Sequence, residues 1–113
     1  MDVDLSFIKE DWNAPNTAKW EGMDVSSRDG FFFIRKVMEK LSDDPLSISM
    51  NFIKEIEIAC PEICQTASTI EIAYYFNVSE HAYFSSYYST EFLAFLSERK
   101  INLRVIGYPC EDE

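Results

Sequence analysis

Residues 68–78, STIEIAYYFNV, constrain this chain more than any other segment, because a pleated sheet is what suits them. The run is β-branched and aromatic, with Ile70, Ile72, Tyr74 and Phe76 on one side and Glu71, Ala73, Tyr75 and Asn77 on the other. A strand cannot stand alone, so others must join it. Residues 3–8, VDLSFI, alternate in the same way and put Val3, Leu5 and Phe7 on one face. Residues 101–108, INLRVIGY, supply a third strand with Ile101, Leu103 and Val105 directed inward.

Helices are expected between these strands. Ser27 or Asp29 can cap a helix running through FFFIRKVMEKLS, with Phe33 or Ile34, Val37 and Leu41 on one face, ended by Asp43-Asp44-Pro45. Residues 46–59, LSISMNFIKEIEIA, read two ways. Leu46, Ile48, Met50 and Phe52 alternate like a strand, whereas Ile48, Phe52, Ile56 and Ala59 recur like a helix. The helix is favoured because it gathers Asn51, Lys54 and Glu55 on an outer face. A third helix follows Ser89 or Thr90, with a stripe of Phe92, Leu93, Phe95 and Leu96, Glu91 at its start and Arg99-Lys100 at its end. The expected fold is a single α+β domain over residues 1–113, two layers deep, with the helices on one face of a short sheet. Residues 68–108 would form a right-handed parallel crossover. Residues 9–27 read as irregular chain held to the body by Trp12 and Trp20.

Composition supports one folded unit. The chain has 113 residues, 47% hydrophobic and 15% aromatic, enough for one core and too few for two. Its opening MDVDLSFIKEDW lacks the basic start and apolar run of a signal peptide, and no stretch reaches the ~18 apolar residues of a spanning helix. A cytoplasmic location is expected. Cys60, Cys64 and Cys110 are odd in number and do not make a disulfide framework. With one histidine in the chain, a closed zinc site would need carboxylates or a second chain, so neither metal nor cofactor is expected.

Charge narrows the function. Twenty acids against ten bases give a formal charge of −10 and a pI of 4.4, which speaks against nucleic acid and against anionic membrane as ligands. A basic protein is the natural complement, although solubility alone also explains an acidic surface. From Glu55 to Glu98 there are seven carboxylates and no Lys or Arg. Within that stretch lie Tyr74, Tyr75, Phe76, Tyr83, Phe84, Tyr87, Tyr88, Phe92 and Phe95. Tyr74, Phe76, Phe92 and Phe95 fall on inward faces; the remaining tyrosines cannot all be buried without partners for their hydroxyls. Acids beside exposed tyrosines suit a Lys- or Arg-rich partner, through ion pairs and cation–π contacts. The candidate contact is Glu71, Tyr75, Glu80, His81, Tyr83, Tyr87 and Tyr88.

Catalytic signals are sparse. The chain has no glycine-rich phosphate loop, nucleophile elbow or helical His pair. His81 is the only imidazole, and nothing in its spacing to Ser79, Ser85 or Ser86 raises it above a loop residue. Asp43-Asp44 before Pro45 reads as a solvated turn, and the tail Glu111-Asp112-Glu113 lacks calcium-loop spacing.

In size, acidity and the region from Glu71-Ile72-Ala73-Tyr74-Tyr75 to Tyr87-Tyr88, the chain resembles the immunity proteins of bacterial toxin–immunity systems, including contact-dependent growth inhibition. TIEIAYYF followed by STEFLAFLSERKINLRVIGY also looks like the strand–helix–strand ending of a bacterial domain family found near such systems. Residues 9–27 depart from that pattern. The resemblance implies a non-enzymatic inhibitor that neutralises a basic nuclease toxin, and it carries over no functional residues. An acidic adaptor or regulatory subunit, such as a nucleic-acid mimic, is the alternative.

Overall fold

The computed structural model describes residues 2–38, 45–77 and 87–110. Their elements are β1 (Asp2–Glu10), β2 (Asp24–Arg28), β3 (Phe31–Met38), α1 (Pro45–Ala59), a 3-10 turn (Pro61–Gln65), β4 (Ser68–Asn77), α2 (Thr90–Glu98) and β5 (Ile101–Cys110). The five strands form one mixed sheet in the order β2-β3-β1-β4-β5. β1 is central and antiparallel to both neighbours, and β4 and β5 run parallel across α2.

The helix expected after Ser27 is instead the hairpin β2–β3, and this is the main correction to the sequence reading. Asp29 and Gly30 form a two-residue turn in which both residues have positive φ, +53° and +81°. An Asp-Gly pair with two left-handed residues matches the right-handed twist of the strands it joins. Arg28 therefore pairs with Phe31 and Val25 with Ile34. The run FFFIRKV fits a helix or a strand by its own periodicity; the turn before it and β1 beside it decide. β2 also claims part of the segment expected to be irregular. Pro45 does not end a helix but occupies the first position of α1, where its missing N–H costs nothing.

Other expectations hold. α1 buries Leu46, Ser49, Phe52, Ile53, Ile56 and Ala59 at helical spacing and leaves Asn51, Lys54 and Glu55 exposed. Ser89 caps α2 by accepting a bond from the Phe92 N–H at 3.2 Å. Trp12 and Trp20 pin the 11–23 loop by packing on Phe32, with ring centroids 4.9 and 5.5 Å away. On β5 the burial fades outward: Ile101 is buried, Leu103 half-buried and Val105 exposed, contrary to its inward expectation.

One face of the sheet contributes Val3, Leu5, Phe7, Phe32, Ile34, Ile70, Ile72, Tyr74 and Ile101 to a core that includes Phe52, Ile53, Ile56, Ile63, Phe92 and Leu96. At its edge Lys9 is buried, which nothing in the sequence announces. Its Nζ donates to the carbonyls of Ile63 (2.6 Å) and Thr66 (3.1 Å) and to Ser68 Oγ (2.9 Å), and lies 5.5 Å from the Trp12 ring centre. Desolvation lowers its pKa, while these acceptors offset the lost hydration. The ammonium thus joins β1 to the 3-10 turn and to the start of β4. Lys9→Ala removes the charge, orphans the acceptors and opens a cavity, so it should lower unfolding free energy by about 2–4 kcal/mol in urea titrations.

Next to that turn, Cys64 Sγ lies 3.9 Å from Glu57 Oε1. Burial, then the Glu57 carboxylate, pushes its pKa up to about 11 from 9.0. The folded state holds this proton longer than the unfolded chain does. Its stabilising contribution is therefore full below about pH 9 and is lost as pH rises towards 11. Cys64→Ser, which does not titrate there, should give a flatter fall in stability over that interval than the parent; an identical slope would refute the assignment.

Candidate functional site

Alternation on β1 puts Asp4, Ser6 and Ile8 on the sheet face opposite the core. The register brings Phe33 and Arg35 of β3, Glu71, Ala73 and Tyr75 of β4, and Arg104, Ile106 and Tyr108 of β5 to that face. On it Phe31, Val37 and Tyr108 are exposed. Arg35 binds the Asp4 carboxylate at 2.6 Å, and the Tyr75 hydroxyl donates to the same oxygen at 3.3 Å. Asp4 raises the pKa of Arg35; burial, then the Asp4 carboxylate, raises that of Tyr75. Tyr75 and Tyr108 stack as cross-strand neighbours, with ring centroids 5.1 Å apart and planes inclined by 16°. Glu71 faces Arg104 at 3.6 Å.

The expected partner surface is divided. Glu71 and Tyr75 lie on this open face, each with a partner inside the chain. Tyr88 is half-buried against the core, its ring 6.1 Å from that of Phe92, and its buried hydroxyl has no bond among the described residues. Tyr87 is 83% exposed. Glu80, His81 and Tyr83 lie outside the described residues.

The base-free stretch of sequence is also not base-free in space. Arg99 pairs with Glu57 and approaches Glu98 at 3.7 Å, while Arg104 meets Glu71. Arg99 also covers the Phe95 ring at 3.7 Å and donates to the Phe95 carbonyl. Sequence reading missed Asp4, Arg35, Arg104 and Tyr108. The Asp29-Gly30 turn was the available signal for Arg35, since a hairpin there places it beside β1.

The acids of the sequence are also unevenly distributed along the chain. β1 begins, and β3, β4 and β5 end, at the same end of the sheet, as the pairs Val3–Met38, Asp2–Tyr75 and Asn77–Cys110 require. By sequence, residues 39–44, 78–86 and 111–113, which continue from those three strand ends, hold Glu39, Asp43, Asp44, Glu80, Glu111, Asp112 and Glu113 against Lys40 alone. Those three segments of the sequence thus account for six of the ten net negative charges.

Among the described residues no group of His, Cys, Asp or Glu is arranged to hold a metal ion, and no helix is long and apolar enough to cross a membrane. Compared with known proteins, the chain matches no family model, no curated protein and no solved structure.

The Asp4 contacts generate a test of what the open face does for stability. Arg35→Met leaves a nearly buried carboxylate with one phenolic donor and should cost about 1–2 kcal/mol in chemical denaturation. Arg28→Ala, at an exposed pair 4.0 Å apart, should cost nothing measurable.

Proposed function

We propose that this chain is an immunity-type inhibitor, acting in the cytoplasm by binding a basic nuclease toxin domain and not by catalysis. In this reading the two helices form one layer over the apolar face of the sheet, and the acidic pole is the docking end. The observation that carries it is the segregation of charge. Arg35 and Arg104 of the sheet are matched by its carboxylates, whereas the segments continuing from Met38, Asn77 and Cys110 hold seven acids against one lysine. Acid-rich segments continuing from one end of the sheet suit a compact basic patch such as a nuclease's phosphate-binding cleft. A mimic of duplex nucleic acid calls for a long row of acids across one face, which the paired carboxylates of the open face do not supply.

The contact comprises the exposed Tyr87, the acids of the pole and the residues Glu80, His81 and Tyr83, with Tyr75 at its border. Glu71, already neutralised by Arg104, contributes little to it. Tyrosines there supply rigid area and cation–π faces for lysine and arginine.

The test uses a basic nuclease domain encoded beside this chain in its genome. Adding the purified chain should abolish nuclease activity at equimolar ratio. Replacing Glu111, Asp112 and Glu113 together by amides should weaken binding about tenfold at low salt, mainly through slower association, and Tyr87→Ala should cost about 1–3 kcal/mol. Glu71→Gln should change affinity less than about threefold. Full nuclease activity in excess of the chain would contradict the reading.

A further inference from the structure

The open face of the sheet has a composition that the acidic pole does not. Phe31, Val37 and Tyr108 are 39%, 54% and 42% exposed on it, and Ile8, Phe33 and Ile106 are half-exposed between them. Its central charges come as matched neighbours, Arg35 with Asp4 and Arg104 with Glu71, while Glu10, Asp24 and Arg28 lie towards its β2 side. On a chain of net charge −10 this is a surface of small net charge with apolar side chains across its centre. A basic partner gains little from carboxylates that already hold arginines. Nucleic acid or an anionic lipid surface gains little from arginines that already hold carboxylates.

A surface carrying both signs in adjacent pairs is complementary to itself when turned through a two-fold axis. Its size is sufficient. Five strands spaced by ~4.8 Å, paired over five to ten residues rising ~3.3 Å each, present about 600 Å² per copy, or about 1,200 Å² across two. That reaches the lower bound of a standard specific interface. Sheets of this kind pack face to face about 10 Å apart, with side chains interleaved.

We propose that the open sheet face docks the same face of a second copy of this chain, giving a two-fold dimer whose acidic poles remain free. The surface meets the one assigned to the nuclease only at Tyr75, and the two respond oppositely to salt. Screening reduces repulsion between two chains of charge −10, so the dimer tightens as salt rises; it weakens attraction between the acidic pole and a basic partner.

Sedimentation velocity of the purified full chain, at about 5–200 μM and from about 50 to 500 mM NaCl, tests this. The expected result is a reversible dimer whose dissociation constant falls severalfold across that salt range. Phe33→Glu and Ile106→Glu should each give monomers of 13.2 kDa at all concentrations while retaining the parent's circular dichroism and inhibition of the nuclease. Ile58→Glu, on the exposed side of α1, should leave the dimer intact. A parent that stays monomeric at every concentration and salt would falsify the proposal. So would a dimer that survives both sheet variants, or one lost on Ile58→Glu. None of these outcomes bears on nuclease inhibition, which stands or fails on its own assay.

Discussion

Everything in this domain is registered against β1. Val3, Leu5 and Phe7 are completely buried on one side of it, while Asp4, Ser6 and Ile8 face the other. Each of the three apolar side chains contributes about 1.5–3 kcal/mol through burial. A slip of one residue against β3 or β4 would exchange the two sets and drive Asp4 and Ser6 into the core. The strand therefore fixes the register of both neighbours, and through β4 that of β5. Lys9 completes it: an ammonium held by carbonyls at the end of the apolar row ties the central strand to the turn after α1.

The same alternation separates the two surfaces to which function is assigned. On the open face, strand pairing sets arginine beside carboxylate, so charge cancels where the sheet is broadest. By sequence, the segments that continue from the ends of β3, β4 and β5 hold seven acids against one lysine, and topology puts those three strand ends on one side. Net charge alone conveys neither fact. It becomes informative only when divided between the sheet and the connections leaving it.

Strands with clean alternation were legible in the sequence, as β1, β4 and β5 show, and so were helices with capping signals, such as α2. The β2–β3 hairpin was not, because Ser27 and Asp29 are good helix caps and FFFIRKVM satisfies a helical stripe. Two left-handed turn residues outweigh that stripe, and an Asp-Gly pair is their mark. The ion pairs of the open face link positions 31 and 33 residues apart in the chain, Asp4 with Arg35 and Glu71 with Arg104, and become visible only with strand order. For the same reason a stretch without bases looked more acidic in sequence than it is in space. Lys9 illustrates the limit differently. A lysine at an inward strand position reads as a strand end, and only the folded turn reveals the carbonyls that receive it.

An inhibitor of this kind must meet a basic protein in its own cell. Affinity capture from the native host's lysate, at low and at moderate salt and followed by mass spectrometry, measures that. A basic nuclease domain should be recovered and retained at moderate salt. Recovery of no basic protein under either condition would contradict the inhibitor reading and leave the acidic pole as a solvated surface.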